Sequence, residues 1–371
     1  MIEVDRPEKA FIPMTVITGF LGSGKTTLLN RVLKHPGMEN AAVIINEFGD
    51  IALDHELMTT PNEDVLLLSS GCLCCSVRGD LVDTLTSLLE SRSKGEIPPF
   101  DRVLVETTGL ADPVPVLMTV ISESGLGDWF FVDGVITVVD AFNALGQFDA
   151  HYESIKQVAV ADRIFVTKTD LADADTYDAL CKRIEHINPG VSVEKILHGE
   201  VDPATLFGLK PDNERWSADD LEDWLKADGH EHQDHGHDHG HGHKHSHHDA
   251  NITSYCITYD KPVTAQGLEV WFNMLSAFRG SDLLRMKGIV NVQGIPIVVQ
   301  AVQHLFHPPV ELEAWPNGNE TTRIVFITNG IAKEEIEKTL SAFEFSVAPR
   351  EGFAIDPDSY AKFMEVAKHF R

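Results

Sequence analysis

The sequence predicts an α/β protein with a mostly parallel, doubly wound sheet, followed by a smaller C-terminal α+β domain after a flexible linker. In the N-terminal half, short apolar runs alternate with stretches of helical periodicity, which is typical of strands joined by crossover helices. A histidine-rich, low-complexity stretch then interrupts the chain, and the alternation of a half-exposed strand restarts after it. These observations divide the chain into a large sheet domain, a linker and a second domain.

Several strands of the first domain are continuous runs of β-branched residues, as expected when helices cover both faces of a sheet. The predicted strands are Met14–Thr18, Ala42–Asn46, Val65–Ser69, Arg102–Glu106, Val135–Asp140, Ile164–Thr167 and Val191–Leu197. Helical periodicity between them is clearest over Lys25–Lys34 and Asp80–Ser91.

We expect the first domain over residues 12–210, a linker over 211–250 and the second domain over 251–371. The linker would hold a short acidic helix, Asp219–Lys226, and the histidine-rich stretch, which has no means of forming a core. The elements expected in the second domain are strands at Ile252–Tyr259 and Arg323–Thr328, a hairpin of Gly288–Val292 with Ile295–Val302, and helices at Thr264–Phe278 and Lys333–Phe343.

The chain of 371 residues carries 57 Asp and Glu against 30 Lys and Arg, which gives a formal net charge of -27. Nucleic acids and anionic membranes both require basic surfaces, so this charge argues against either as a partner. No apolar stretch approaches the roughly 18 residues of a membrane span, and the charged N-terminus lacks the apolar core of a signal peptide. We therefore expect a cytoplasmic protein.

A phosphate-binding loop is the most specific motif. Gly19, Gly24, Lys25 and Thr26 satisfy the pattern G-x-x-x-x-G-K-[ST] between a predicted strand and a predicted helix. In such a loop, backbone N–H groups surround phosphate, the lysine neutralises the β- and γ-phosphates, and the threonine hydroxyl binds Mg²⁺. The first domain is therefore predicted to be a P-loop NTPase. The residues assigned to the phosphates are Gly19, Gly22, Ser23, Gly24, Lys25, Thr26 and Thr27.

Two later strand ends extend the nucleotide site. Glu106 ends a strand and begins the segment E-T-T-G, so its carboxylate can hold Mg²⁺ and the Gly109 N–H can meet the γ-phosphate. The segment T-K-T-D resembles the guanine-reading element N-K-x-D, with Thr in place of Asn. Its aspartate can accept hydrogen bonds from guanine N1–H and N2–H₂, which adenine does not offer, so GTP is favoured over ATP. The residues assigned to the nucleotide here are Gly109, Thr167, Lys168 and Asp170.

Three of the 5 cysteines, Cys72, Cys74 and Cys75, lie together after the predicted third strand. Thiolates select Zn²⁺ or Co²⁺ over Mg²⁺, and two or three of them leave a tetrahedral site incomplete, which suits a metal that is passed on. In a loop at the carboxyl end of that strand, this metal would neighbour the γ-phosphate. A redox dithiol and buried, inert cysteines are the alternative interpretations.

The histidine-rich stretch holds most of the 18 histidines of the chain. Neutral imidazoles at every second or third position of a flexible segment can chelate Zn²⁺ or Ni²⁺ in many interchangeable ways. This pattern predicts auxiliary, weak metal binding, and the alternative is a low-complexity linker with incidental affinity. The histidines assigned to this role are His235, His237, His239, His241 and His243.

The chain resembles the CobW-like family of metal-handling P-loop GTPases. The resemblance rests on ITGFLGSGKTTLLN, INEFGD, GCLCC, ETTGLADP and TKTD in that order, and it continues into RMKG and VQHLFHPP of the second domain. It implies a GTPase that loads zinc, or in some members cobalt or another metal, into client proteins. By position, it also implies that Cys72, Cys74 and Cys75 hold the transferred metal.

The chain has no obvious glutamine placed to orient the attacking water, so we expect slow intrinsic GTP hydrolysis. Lys25 and Thr26 would act on the phosphates, while Glu47, Asp50 and Glu106 are three alternative groups for positioning Mg²⁺ or water. The predicted function is a metallochaperone that uses GTP, Mg²⁺ and Zn²⁺, with Co²⁺ as the alternative cargo, and that serves a client metalloprotein; a homodimer is one assembly to consider. The alternatives are a GTP-responsive metal buffer or sensor without a client, and a small-molecule kinase.

Overall fold

The computed structural model describes residues 11–45, 65–67, 73–76, 81–122, 125–209, 218–225 and 251–345. The chain forms two compact units, the first comprising Met1–Arg183 with Val191–Lys210, the second Ile184–Gly190 with Pro211–Arg371. Each unit is built on its own sheet. No helix in the described ranges is long and apolar enough to span a membrane.

The first unit contains an eight-stranded sheet. Its strands are β1 (Ile12–Thr18), β2 (Ala41–Ile45), β3 (Val65–Leu67), β4 (Leu73–Ser76), β5 (Arg102–Glu106), β6 (Phe130–Asp140), β7 (Arg163–Thr167) and β8 (Ser192–Lys195). Their order across the sheet is β3-β4-β2-β5-β1-β6-β7-β8. All neighbours are parallel except β3 and β4, which are antiparallel. The mostly parallel α/β fold predicted from the sequence is confirmed.

Helices connect these strands and cover the sheet. They are α1 (Lys25–Val32), α2 (Leu81–Ser93), α3 (Val114–Ser122), α4 (Ala144–Ala150), α5 (Tyr152–Ala159) and α6 (Ala174–Ile187). The apolar face of α1 packs Leu28, Leu29 and Val32 against buried strand residues such as Val43 and Phe165. The strand runs are buried on both faces, which explains why they lack an alternating pattern.

The prediction that the cysteine segment lies in a loop is wrong for Cys74 and Cys75, which belong to strand β4. The four residues Leu73–Ser76 are too few to show a period, so nothing local distinguishes them from a loop. The strand forms because it pairs on both sides, parallel to β2 and antiparallel to β3. Cys74 and Cys75 are therefore consecutive residues of a strand inside the sheet, while Cys72 lies outside the described residues.

The second unit contains an antiparallel sheet of six strands. They are β9 (Ile252–Tyr259), β10 (Leu283–Val292), β11 (Ile295–Val302), β12 (Leu305–Phe306), β13 (Val310–Glu311) and β14 (Thr322–Asn329). The order is β12-β11-β10-β14-β9, with β13 paired to β11. The predicted hairpin is β10 and β11, and its two-residue turn, Gln293 and Gly294, has positive φ angles of 55° and 95°, as this kind of tight turn requires.

The described residues of the second unit also form helices α7 (Ala218–Trp224), α8 (Ala265–Arg279) and α9 (Lys333–Thr339). On one face of the sheet, α8 buries Trp271 against Phe326 and Phe343. The indole N–H of Trp271 donates a hydrogen bond to the Thr339 hydroxyl at 2.8 Å, so the buried ring has a partner for its polar atom.

The acidic helix α7 packs on the other face of this sheet. Its Leu221 and Trp224 form a cluster with Ile289 of β10 and other apolar residues of the unit. Neighbouring strand residues point to opposite faces, which places this cluster behind the one beneath α8. Arg323 of β14 adds two hydrogen bonds to the Glu222 carboxylate, at 2.6 and 2.8 Å. This helix, which is predicted as part of the linker, belongs to the second unit.

Replacing Glu222 tests how firmly α7 is held. Glu222→Gln keeps the side-chain volume but removes the charge from a half-buried bidentate pair, and hydrogen bonds to charged groups contribute about 1.5–3 kcal/mol. We expect the α7 amides to exchange about tenfold faster or more in hydrogen-exchange mass spectrometry.

The matched control is Glu337→Gln, because Glu337 and Lys333 form a 4.0 Å pair on an exposed helix face, where ion pairs contribute little. Equal α7 exchange in the wild type and both variants would contradict the role assigned to Glu222.

Candidate functional site

The parallel register brings four strand ends of the first unit to one edge of the sheet. Ile17 of β1 pairs with Glu106 of β5, and Asp140 of β6 pairs with Thr167 of β7. The loop between β1 and α1 follows at this same edge. In parallel α/β sheets, ligands bind outside the carboxyl ends of the strands, so this edge is the candidate site.

The loop between β1 and α1 has the conformation that a phosphate-binding loop needs. Gly19 lies so close to β6 that a Cβ atom there would come within 2.2 Å of the Val138 carbonyl oxygen. Gly24 has a φ of 100° and precedes the first residue of α1, Lys25. Only glycine fits at position 19, and the positive φ at position 24 favours glycine. The loop therefore curls over the N-terminus of α1, whose N–H groups face it.

The polar groups of this loop suit an anion. Lys25 is 4% exposed, and its ammonium donates hydrogen bonds to the carbonyl oxygens of Gly19 at 2.8 Å and Phe20 at 3.3 Å. The buried Ser23 hydroxyl has no hydrogen-bond partner within the part of the chain that the structure describes. A buried hydroxyl of this kind needs a partner, which a phosphate oxygen would provide.

Thr26 and Glu106 form a pair of oxygen donors beside the loop. The Thr26 hydroxyl donates to the Glu106 carboxylate at 3.4 Å, and Glu106 is fully buried. Hydroxyl and carboxylate oxygens are the ligands that Mg²⁺ prefers. The two residues predicted to hold Mg²⁺ are therefore brought together.

The segment after β5 lies directly against the phosphate-binding loop. The Thr107 N–H donates to the Ile17 carbonyl at 3.0 Å, and the Thr107 hydroxyl donates to the Thr18 hydroxyl at 2.9 Å. A Cβ atom on Gly109 would lie 2.7 Å from the Leu21 backbone nitrogen. This approach leaves no room for a side chain at position 109 and places the E-T-T-G segment next to the predicted phosphate site.

Thr167 ties β7 to the phosphate-binding loop. Its hydroxyl lies 2.6 Å from the Ser23 carbonyl oxygen and 3.2 Å from that of Val139, and donates toward both. The threonine that replaces asparagine in the guanine-reading element thus has a bridging role. Asp170, the residue predicted to read guanine, is exposed at the same end of β7.

Lys168 is held by Asp140, which sequence reasoning did not single out. The Lys168 ammonium donates to the Gly22 carbonyl and to the Asp140 carboxylate, each at 2.7 Å. Burial disfavours the ionised carboxylate, but hydrogen bonds from Lys168, Asn143 and the backbone outweigh it and hold the pKa of Asp140 below its usual value. The sequence feature that could have identified Asp140 is an aspartate at the carboxyl end of a buried strand, where ligands bind in parallel sheets.

The cysteine strand lies in the same sheet as the nucleotide edge. The backbone of Cys75 pairs with Ile44 of β2, and Ile45 of β2 pairs with Glu106 of β5. Two strand spacings of about 4.8 Å therefore separate β4 from β5, so the backbones of Cys75 and Glu106 lie about 10 Å apart across the sheet.

Thr27 lies in the first turn of α1, where it is exposed. The remaining predicted site residues, Cys72, Glu47, Asp50, His235, His237, His239, His241 and His243, lie outside the described residues. Within the ranges that are described, no group of three or more His, Cys, Asp or Glu side chains is placed to hold a metal ion.

Comparisons with known proteins are consistent with this architecture. Residues 13–195 match the family model described as CobW/HypB/UreG, nucleotide-binding domain, and residues 252–344 match the cobalamin synthesis protein cobW C-terminal domain. The zinc chaperone YjiA of Escherichia coli K12 is 33% identical over 327 residues, which are 88% of this chain and 96% of that protein. The zinc-regulated GTPase metalloprotein activator 1 of Saccharomyces cerevisiae is 29% identical, with 91% of this chain and 84% of that protein covered.

A solved structure also matches over nearly the whole chain. The crystal structure of the Zn(II)-bound YjiA GTPase from E. coli has a TM-score of 0.67 and 30% sequence identity, and covers 91% of this chain and 100% of that chain.

Replacing Asp140 tests its hold on Lys168. Asp140→Asn removes the anionic partner, and we expect the unfolding temperature at pH 7 to fall by about 3–10 °C. Because the folded pKa of Asp140 is lowered from 3.8, the wild-type advantage is fully present well above that pH and is lost as pH falls through the lowered folded value.

Calorimetry between pH 7 and pH 3 checks this expectation, with Asp149→Asn at an exposed position of α4 as the control. A difference between wild type and Asp140→Asn that stays constant down to pH 3 would contradict it.

Proposed function

Because the chain belongs to the CobW/HypB/UreG family of nucleotide-binding proteins, we propose that this GTPase is a zinc chaperone. It binds Zn²⁺ through Cys72, Cys74 and Cys75 in a manner that depends on the bound nucleotide, and it transfers the ion to a client metalloprotein. The observation that carries the proposal is the placement of Cys74 and Cys75 on β4, two strands from Glu106 and the phosphate-binding loop.

The phosphate-binding loop and its neighbours hold the triphosphate. The N-terminus of α1, the Ser23 hydroxyl and the Lys25 ammonium supply the donors, and burial of Lys25 and Ser23 strengthens their interaction with charge. The oxygens of Thr26 and Glu106 would hold Mg²⁺, which neutralises charge on the β- and γ-phosphates when bound.

Hydrolysis needs a group that orients water. Glu47 and Asp50, in the segment after β2, are candidates beside Glu106. Glu106 lies within 3.4 Å of Thr26, which favours Glu106 as a Mg²⁺-side group and leaves the water to the other two. The sequence has no obvious glutamine placed to orient the attacking water, which supports slow intrinsic hydrolysis.

Guanine is selected by Asp170, an exposed residue that follows the carboxyl end of β7. The neighbouring Lys168 is anchored at both Gly22 and Asp140, so its stem has a fixed course beside the loop that holds the phosphates. A base lying along this stem would present its N1–H and N2–H₂ edge to a carboxylate.

Strand β2 connects the two halves of the proposed cycle. It pairs with β4 on one side and with β5 on the other, so a displacement at its carboxyl end acts on both the cysteine strand and the Glu106 strand. GTP that raises zinc affinity must by linkage be bound more tightly when zinc is present. Hydrolysis then lowers zinc affinity and favours release, and the histidine-rich segment acts as an auxiliary collector.

Zinc affinity measured in two nucleotide states tests the proposal. In a competitive chelator titration with Mg²⁺, we expect Zn²⁺ to bind about tenfold or more tightly with a non-hydrolysable GTP analogue than with GDP. Cys74→Ser and Cys75→Ser should abolish that difference, because a serine hydroxyl is a poor ligand for Zn²⁺.

Cys181→Ser and Cys256→Ser are matched controls, since both residues lie outside β4. Survival of nucleotide-dependent zinc binding in a variant that lacks Cys72, Cys74 and Cys75 would refute the proposal. Zinc that stays bound after hydrolysis would favour a metal buffer or sensor, and Co²⁺ run in parallel shows whether zinc is preferred.

Guanine recognition is tested by Asp170→Asn. The amide no longer accepts both guanine N–H groups, and we expect GTP affinity to fall about 10- to 100-fold, the effect of losing hydrogen bonds to a charged group. Xanthosine triphosphate carries a carbonyl in place of the guanine amino group, so its affinity should rise in the variant.

Asp175→Asn, an exposed position at the start of α6, is the control. Unchanged selectivity between GTP and xanthosine triphosphate in Asp170→Asn would remove Asp170 from the base site.

A further inference from the structure

Helix α5 holds the chain at Gly109 and Ala111, at and just after the end of the E-T-T-G segment. Gln157 of α5 is 1% exposed, and its carboxamide N–H₂ donates to the Gly109 carbonyl at 3.3 Å and to the Ala111 carbonyl at 3.0 Å. Both amide protons are therefore directed to two peptide groups of one short segment. Nothing in the proposed cycle gives this glutamine a role.

A second side chain of α5 holds the residues that follow Gly109. The Lys156 ammonium donates to one oxygen of the Asp112 carboxylate, and the other oxygen accepts the Val114 N–H at 3.0 Å, where α3 begins. The helix itself is anchored, because the Thr137 hydroxyl of β6 donates to the Gln157 backbone carbonyl at 2.6 Å. The segment is thus fastened to a helix that the central sheet holds in place.

The contact between Gly109 and the phosphate-binding loop makes the Gln157 hydrogen bonds relevant to nucleotide binding. Gly109 lies against the phosphate-binding loop with no space for a Cβ atom, so the same residue contacts both Leu21 and Gln157. The Gly109 N–H, assigned to the γ-phosphate, belongs to the residue whose carbonyl Gln157 holds. A change in the Gln157 contact therefore changes the direction available to that N–H.

We propose that Gln157 is a positioning residue that presets the Gly109 segment for the γ-phosphate and so sets the preference for GTP over GDP. The inference rests on the proposed use of GTP. GDP has no γ-phosphate and draws no benefit from the preset segment. A preset donor also removes the ordering cost that GTP binding would otherwise carry.

The test compares both nucleotides in variants of the full chain. Gln157→Met keeps the length and removes both donors, and Gln157→Glu keeps the shape but turns a carboxylate toward two carbonyl oxygens. We expect affinity for a non-hydrolysable GTP analogue, and kcat for GTP, to fall about tenfold in Gln157→Met and further in Gln157→Glu. GDP affinity should stay within about twofold.

Two further variants keep the test decisive. Gln147→Met on α4 is the matched control and should leave both affinities unchanged. Lys156→Met weakens the same segment at a position 18% exposed, so it tests the idea even if substitution of the buried Gln157 prevents folding, and about a threefold loss for the GTP analogue alone is expected.

Equal losses for GDP and the GTP analogue, or no loss in any α5 variant, would overturn the assignment. A wild-type protein that fails to hydrolyse GTP would instead count against the proposed function. If zinc affinity does not depend on the nucleotide but the Gln157 variants still lose affinity for the GTP analogue alone, the positioning role of Gln157 is supported and the zinc-chaperone proposal is not.

Discussion

The shape of the phosphate-binding loop depends on the strands that follow it in the chain. Gly19 lies against the Val138 carbonyl of β6, while Thr167 and Lys168 at the end of β7 bond to the Ser23 and Gly22 carbonyls. A loop with three left-handed or crowded glycines has little stability of its own. These contacts supply that stability, and they also fix the segment predicted to read guanine relative to the predicted phosphate donors.

The same parallel register extends from the nucleotide edge toward the proposed metal. Strand β5 ends at Glu106 beside Thr26, β2 lies next to it, and β4 with Cys74 and Cys75 comes next. Since neighbouring strands share backbone hydrogen bonds, a displacement at the end of one strand also shifts the strand paired with it. The sheet therefore offers a short physical route between the proposed γ-phosphate site and the proposed thiolate-bound ion. The second unit has a separate core around Trp271.

Motifs confined to a few consecutive residues were predictable from the sequence, and features made by distant pairs were not. The loop from Gly19 to Thr26 and the strand runs were found because their residue types and spacing are local. Strand β4 was missed because four residues become a strand only through β2 and β3. The Gln157 contact spans 48 positions from Gly109, and the Glu222–Arg323 pair spans 101 positions, so neither leaves a local pattern.

The most direct test of the central claim is the location of zinc in a crystal grown with a GTP analogue, Mg²⁺ and Zn²⁺. An anomalous difference map recorded at the zinc absorption edge shows the ion independently of any assumed ligand. We predict a peak beside Cys74 and Cys75 on β4, about 10 Å from the Glu106 end of β5. Zinc found only on the histidine-rich segment or on the second domain would contradict it.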